Sequence, residues 1–271
     1  MTDLAEQLSG AWNFRDVTST TRGLIRPGRL FRAGELSHLD DTGRHQMTQL
    51  GITDVADLRS PPEVRSHGPG LVPDGVVVHL LPFVEDVLPD GEEAPHEHAF
   101  ARLMTEKPDD ESTSDAAARY MTEEYGRIAL APLARRAVHR MVSLLGDERS
   151  LLVHCFAGKD RTGFTVAVVL EAAGLDRDAI MADYLASNAA APELRTQIME
   201  RIKARFDGEL PSETADFTEA RLSDDVLGVR EDYLASALRS VEEEFGSVTG
   251  YLRAADVTDD DLARLRAALL G

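Results

Sequence analysis

The chain has 271 residues, 43% of them hydrophobic, which is enough for a core of ordinary size. Its formal net charge of −19 argues against a nucleic-acid partner, because duplex binding needs a basic footprint. The single cysteine, Cys155, allows no internal disulfide. The longest apolar run, Phe164 to Leu170, is too short to span a bilayer, and the N-terminus lacks the basic start and apolar core of a signal peptide. The reading is a soluble protein with no integral membrane segment, cytoplasmic by default, with export by a route that needs no cleaved signal left open.

In chain order, the first 32 residues are relatively basic, with Arg15, Arg22, Arg26, Arg29 and Arg32 against Asp3, Glu6 and Asp16. Asn13, Arg15 and Asp16 form a compact polar cluster, either a turn whose Asp pairs with an Arg or a support for a functional loop elsewhere. Residues 29–36 (RLFRAGEL) read as a strand, and 40–51 as a helix opened by Asp caps and closed by Gly51. A second strand covers 53–60 and ends with Arg59 before the stop at Pro61-Pro62. A third covers 76–83 (VVVHLLPF).

Residues 85–115 then hold eleven Asp/Glu against Arg102 and Lys107, and read as a solvated acidic loop. His96 and His98 lie within it, but no second ligand cluster follows, so no metal is expected. A helix over 132–146 has Leu133, Ala137, Val138, Met141, Val142 and Leu145 on one face. A fourth strand, 150–155, leads into helices at about 162–173, 177–187, 192–207, 214–221, 229–245 and 258–270.

This order predicts an α/β fold in one domain, residues 1–271. A mainly parallel central sheet of about four to five strands is flanked by helices, and the C-terminal half is helical. Residues 192–245 are long for a decoration. Leu222, Val226, Leu227, Val229, Tyr233, Leu234 and Leu238 give them a broad apolar band, either core or a lid over a site.

The stretch 154-HCFAGKDRTG-163 sits between the fourth strand and a helix. A strand, a tight loop and a helix N-terminus make an anion site, because unbonded N–H groups point outward and the helix dipole is positive there. Gly158 allows a backbone that other residues resist. N–H groups of Phe156, Ala157, Gly158 and Lys159 can then converge on one tetrahedral dianion. The same field, with His154, Lys159 and Arg161, favours the thiolate of Cys155, the nucleophilic form. Arg161 offers a planar fork that matches two phosphoryl oxygens. The expected chemistry is attack of sulfur on phosphorus, with a cysteinyl-phosphate that water hydrolyses. It needs no metal and no cofactor. A nucleotide-binding P-loop is excluded by Val153 and Asp160, where that motif needs Gly and Ser/Thr.

HCFAGKDRTG resembles the HCxxGxxR[ST] signature loop of cysteine-dependent phosphatases. With 13-NFRDV-17, 30-LFRAGELSHLDDTG-43, 52-ITDVADLRS-60, 79-HLLPF-83, 171-EAAGLDRDAIMADYL-185 and 221-RLSDDVLGVREDYL-234, nearly the whole chain is similar to the bacterial tyrosine phosphatase family of the mycobacterial B type. The resemblance implies a tyrosine-phosphatase-like fold with a helical lid. It also implies Cys155 as nucleophile, Arg161 as phosphate clamp, His154 holding the loop, and Thr162 giving a hydroxyl to the leaving sulfur. Lys159 and Asp160 would be the pair specific to this branch. The implied substrates are phosphotyrosine, phosphoserine or phosphothreonine proteins and phosphoinositides, whose extra phosphates Lys159 could meet.

The leaving oxygen needs a proton donor at the loop mouth. Asp86, just past the third strand, is the first choice, with Glu85 and Asp160 as alternatives. Arg59, ending a strand on the same sheet edge, either contacts substrate or ties the loop. Alternative readings are a dedicated phosphoinositide phosphatase, a non-catalytic phosphate-binding module, and sulfur transfer by a rhodanese-like loop. The sequence leaves oligomeric state open.

Overall fold

A computed structural model of the chain describes residues 7–83, 112–205 and 222–271. Five strands form one sheet: β1 (Arg15–Asp16), β2 (Leu30–Ala33), β3 (Asp54–Asp57), β4 (Val77–Leu80) and β5 (Leu151–His154). Their spatial order is β1-β2-β5-β3-β4. Only the β1–β2 pair is antiparallel. Ala33, His154, Asp57 and Leu80 lie in register, so the carboxyl ends of the four parallel strands share one edge. In open α/β sheets that edge is where ligands bind.

Side chains alternate across the sheet, as a period of two requires. Leu151 and Val153 enter the larger core with Leu30 and Ala56, whereas Leu152 joins Phe31, Ala33 and Val55 in a smaller one. The small core is closed by α2 (Asp41–Gln49), through Met47 and Leu39 just before it. Most helices cover the other face: α4 (Thr113–Leu130), α5 (Pro132–Gly146), α6 (Asp160–Ala173), α7 (Arg177–Leu185), α10 (Glu231–Phe245), α11 (Val248–Ala254) and α12 (Asp259–Leu270). Short α1 (Val17–Thr20), α3 (Pro61–His67) and α9 (Asp224–Leu227), and the longer α8 (Ala191–Arg205), complete the fold. No helix among the described residues is long and apolar enough to cross a membrane.

The four strands anticipated from sequence are all present, each trimmed to four residues. The 132–146 helix matches residue for residue. Differences arise where one signal had two meanings. Pro61-Pro62 does end the β3 segment, but it also opens α3 at positions where a helix has no N–H to lose. The helix α4 starts inside the acidic 85–115 stretch, on a cap in which Ser112 accepts from the N–H of Asp115. The expected 214–221 helix, and His96 and His98, lie outside the described residues.

The apolar band of 222–238 divides. Tyr233, Leu234 and Leu238 of α10 belong to the main core, with Val229, the first of the two alternatives for this band. Leu222 and Leu227 instead join Leu194 and Ile198 of α8 in a separate cluster with Trp12 and Ala157. The C-terminal helices are equally integral, since α12 puts the fully buried Leu265 and Leu269, with Leu262, into the main core. Leu265→Ala is therefore expected to lower stability by about 2–5 kcal/mol in chemical denaturation. Exposed Arg253→Ala should stay within about 0.5 kcal/mol.

Candidate active site

Strand β5 is buried along its length, and Cys155 follows it directly at 2% exposure. The chain then turns through Phe156–Lys159 and enters α6 at Asp160. Gly158 makes the turn at φ +68°, and a Cβ there would sit 2.2 Å from the Ala33 carbonyl oxygen. No side chain fits that approach, so the glycine is obligatory.

The loop's carbonyls are all bonded. Cys155 O lies 3.2 Å from His154 Nδ1, which must carry the proton because a carbonyl only accepts. Phe156 O accepts from the Glu35 N–H at 2.9 Å. Asn13 Nδ2 donates to Ala157 O at 3.3 Å and to Gly158 O at 2.9 Å, and Arg32 Nη2 also reaches Gly158 O at 2.9 Å. Lys159 O accepts from the Gly163 N–H at 2.8 Å. With the carbonyls held on that side, the N–H groups face the other way. Among the described residues none accepts from the N–H of Ala157, Gly158, Lys159, Asp160 or Arg161. Such a nest of unbonded N–H groups at a helix N-terminus receives an anion.

Beneath the loop lies a buried ionic cluster. Asp183 Oδ2 bonds Arg32 Nη1 at 2.5 Å, and Asp183 Oδ1 bonds Arg15 Nε at 3.0 Å and Thr20 at 2.7 Å. Burial pushes the Asp183 carboxyl up, but Arg32 and Arg15 more than reverse this and hold it at about 2. Arg15 Nη1 also donates to Asn13 Oδ1 at 2.7 Å, which orients the amide that grips the loop. The polar cluster seen in the sequence therefore splits its roles. Asn13 and Arg15 support the loop, while Asp16 caps α1 and accepts from the Gly28 N–H.

Arg161 faces a carboxylate. Its Nη1 and Nη2 bond Glu63 Oε2 and Oε1, each at 2.7 Å, and Nη1 also reaches Leu58 O at 3.3 Å. Burial would lower the Arg161 pKa, but Glu63, Cys155 and Asp160 raise it above the ordinary value. Glu63 is itself fixed by the α3 capping box, its Oε2 accepting from Ser60 N and Ser60 Oγ at 2.8 Å.

Arg59 does not reach outward. Its guanidinium is fully buried, bonding Asp57 at 2.7–3.2 Å, Glu35 at 3.4 Å and the Gly68 carbonyl at 3.1 Å, so it ties these segments together. His154 is buried with Nε2 3.6 Å from Asp57. Burial lowers its pKa despite the pull of Asp57, which favours the neutral ring. The Asp57 carboxyl is raised by burial and lowered further by His154 and Arg59, ending below the usual range. Thr162 Oγ1 is buried and has no hydrogen-bond partner among the described residues.

Lys159 is also drawn inward. Its Nζ bonds Asp160 Oδ1 at 2.8 Å and Gly228 O at 3.2 Å, joining the loop to the α9–α10 turn. Asp160 Oδ1 accepts from Tyr125 Oη at 2.9 Å as well, and Tyr184 Oη donates to Tyr125 Oη at 2.7 Å. Glu124, next to Tyr125 on α4, has its pKa raised by burial, against the pull of Arg127 and with a further push from Asp160. Phe156 packs on Trp12 and on the His67 ring. Asp86 and Glu85 lie outside the described residues.

Sequence reading missed Glu63, Tyr125 and Asp183, which bond Arg161, Asp160 and the arginine beneath the loop. Ser60-x-x-Glu63 carried a legible capping signal, while Asp183 carried none. A family model described as "Tyrosine phosphatase family" matches residues 6–271. The chain belongs to the tyrosine phosphatase family. It is 56% identical to a protein of Mycobacterium tuberculosis named triple specificity protein phosphatase PtpB, over 98% of this chain and 99% of that one. A putative tyrosine-protein phosphatase of Cupriavidus necator is 29% identical, over 99% of this chain and 88% of that one. A tyrosine-protein phosphatase of Nostoc commune is 24% identical, over 88% and 73% respectively. Membership of this family makes the chain a protein-tyrosine phosphatase, a hydrolase of phosphate monoesters.

The ionic cluster gives the phosphatase an acid limb. Because the folded Asp183 pKa of about 2 lies below its ordinary 3.8, its contribution is complete above pH 3.8 and lost as pH falls toward 2. Urea midpoints measured against pH should fall over that window. In Asp183→Asn, which leaves Arg15 and Arg32 buried without a counter-charge, stability at pH 7 should drop by about 3–5 kcal/mol and that part of the limb should vanish.

Proposed function

We propose that the loop Cys155–Arg161 is the catalytic phosphate cradle and that the chain hydrolyses phosphotyrosine first, with phosphoserine, phosphothreonine and phosphoinositides as further substrates. The observation that carries this is the loop's bonding: every carbonyl from Cys155 to Lys159 has a donor, while the N–H groups of 157–161 meet no acceptor among the described residues. The printed name of the M. tuberculosis relative, a triple specificity phosphatase, supports the wider substrate range.

The reaction runs in two displacements. The Cys155 sulfur attacks phosphorus, the S–P bond forms and the P–O bond to the substrate breaks. The leaving oxygen takes a proton from a carboxyl, for which Asp86 stays the first candidate and Glu85 the reserve. Asp160 is less suited, as its Oδ1 already accepts from Tyr125 and Lys159. Water then attacks phosphorus, the S–P bond breaks, and inorganic phosphate leaves. The N–H nest and Arg161 stabilise charge on the equatorial oxygens in both steps. Thr162, with an unpartnered hydroxyl, is left with a donor to give the sulfur as it departs.

The lid reading narrows to α8 with Leu222 and Leu227, which pack on Trp12 and on Ala157 of the loop itself. Lys159 fits a role in lipid substrates if its ammonium exchanges Gly228 O for a second substrate phosphate.

Two measurements test this. Cys155→Ser should lose at least about 1,000-fold in turnover of para-nitrophenyl phosphate and of phosphotyrosine peptides, while Lys159→Met should depress phosphoinositide turnover more than peptide turnover. Activity retained in Cys155→Ser would end the nucleophile assignment. Separately, Asp86→Ala should lower turnover of phosphotyrosine peptides by about 100-fold or more but spare aryl phosphates with good leaving groups, and should flatten the alkaline limb of the pH–rate curve. Unchanged peptide turnover would shift the acid role to Glu85.

A further inference from the structure

We propose that Tyr125, backed by Tyr184, is a positioning residue for the second displacement: its hydroxyl pins the Asp160 carboxylate by one oxygen and so keeps the other for the attacking water. The inference rests on the reading of the Cys155–Arg161 loop as the phosphate cradle.

Two buried tyrosines lead to the first residue of α6. Tyr184 Oη donates to Tyr125 Oη at 2.7 Å, and Tyr125 Oη donates to Asp160 Oδ1 at 2.9 Å. A carboxylate oxygen only accepts, so Tyr125 gives its one proton to Asp160 and accepts from Tyr184. The direction of the chain is fixed at each link. Donation by Tyr184 also polarises the Tyr125 O–H and strengthens its bond to Asp160. Burial, with the charge of Asp160 adding to it, pushes the Tyr125 pKa well above its ordinary value, so the hydroxyl keeps its proton at neutral pH.

The tyrosines themselves are held by packing. Their rings meet edge-to-face at 6.1 Å, and Tyr233 packs on Tyr125 at 5.7 Å. A Cβ on Gly163, in the first turn of α6, would fall 2.9 Å from the Tyr184 ring. Apolar packing needs no hydroxyl at either position. A phenylalanine pair would fill the same space without burying two O–H groups. What the hydroxyls add is a hold on one carboxylate oxygen.

Asp160 stands next to Arg161, and its N–H belongs to the nest that meets no acceptor among the described residues. Its charge helps to raise the Arg161 pKa. Lys159 Nζ bonds the same Oδ1 at 2.8 Å, whereas Oδ2 bonds no described residue. Phosphoryl oxygens also accept, so a bound phosphate offers Oδ2 nothing. Water can donate to it, and water is what the second displacement brings in. The water oxygen attacks phosphorus as one of its protons passes to Oδ2. The S–P bond breaks with its electron pair left on sulfur, and Asp160 later yields the proton to solvent. A carboxylate free to turn would present either oxygen, and the Tyr125 bond removes that freedom before the water arrives.

Tyr125→Phe keeps the ring contacts and deletes the hydroxyl. Rapid-quench measurements on para-nitrophenyl phosphate follow para-nitrophenol, trapped cysteinyl-phosphate and free phosphate, so each displacement has its own rate. They are made on wild type, Tyr125→Phe, Asp160→Asn and the double variant, alongside thermal midpoints. Tyr125→Phe should slow the second displacement about 10-fold and leave the first within about 2-fold, so that cysteinyl-phosphate accumulates. Asp160→Asn should slow the second displacement about 100-fold. Adding Tyr125→Phe to it should change that rate by less than about 2-fold, because the tyrosine acts through the carboxylate. Tyr125→Phe leaves the Tyr184 hydroxyl buried without its acceptor, which lowers the midpoint. Combining Tyr125→Phe with Tyr184→Phe removes that orphan, and should recover the midpoint yet keep the slow second displacement.

A second displacement within about 2-fold of wild type in both tyrosine variants would reduce Tyr125 to a fold contact and overturn the proposal. Equal losses in the two displacements would overturn it too, as damage to the cradle at large. So would an unchanged second displacement in Asp160→Asn. If Cys155→Ser still hydrolyses the substrate, the cradle reading itself falls and this inference falls with it. If Cys155→Ser is inactive while Tyr125→Phe runs at the wild-type rate, only this inference fails.

Discussion

An anion can be held by backbone N–H groups only if the carbonyls of the same peptides are satisfied elsewhere. In the turn from Cys155 to Lys159 each carbonyl finds a donor behind the loop: the His154 ring, the Glu35 N–H, the Asn13 amide, the Arg32 guanidinium and the Gly163 N–H. Most of the surrounding structure is organised by that requirement. Arg32 lies on β2 beside β5, and its charge must be balanced in a place water does not reach. Asp183 of α7 balances it, and is shared with Arg15, whose other end aligns Asn13. A buried ion pair of this kind adds little net stability over apolar packing. Its value here is geometric, since it sets where the carbonyls are held and so where the N–H groups point.

The chain's overall charge of −19 makes the local electrostatics more telling. Cations near the loop are paired inward. Arg59 is used up by Asp57, Glu35 and Gly68. Lys159 is divided between Asp160 and Gly228. Of these three, Arg161 keeps a bidentate edge that no described residue engages. The resulting selectivity is one of shape and donor direction more than of net field. In a strongly anionic protein this is the way to hold a dianion without a broad basic patch.

The parts of this arrangement legible in the sequence are those with local causes. Strand periodicity placed β2 to β5, and the run from Cys155 to Arg161 marked the tight loop between β5 and α6. Gly158 was readable as a backbone requirement, and the structure shows why, with the Ala33 carbonyl where a Cβ would be. What stayed hidden depends on contacts distant in sequence. Asp183 reads as one more polar residue in an amphipathic helix until α7 is packed beside β1 and β2. Tyr125 sits on α4, whose start is masked by acidic composition although Ser112 and Asp115 mark it. Pro61-Pro62-Glu63 was read as a strand stop, because the residues that end a strand are the same ones that begin a helix.

The loop is tied on both sides, and the ties differ in kind. Those beneath it are ionic, buried and carried by the fold's own strands and by α7. Those above it are lighter among the described residues. Lys159 reaches one carbonyl at Gly228, Asn188 brackets Val229 through its N–H and carbonyl, and α8 adds a small apolar cluster over Trp12 and Ala157. Gly228 has no room for a side chain, since a Cβ would meet Asp224 O at 2.7 Å and Asn188 Oδ1 at 2.9 Å, so this contact is close-fitting despite being small. Elements held by few contacts open at lower free energy than those in the main core. The lower ties, ionic and buried, fix the geometry of the loop, while the upper ones join it to α8 and to the α9–α10 turn.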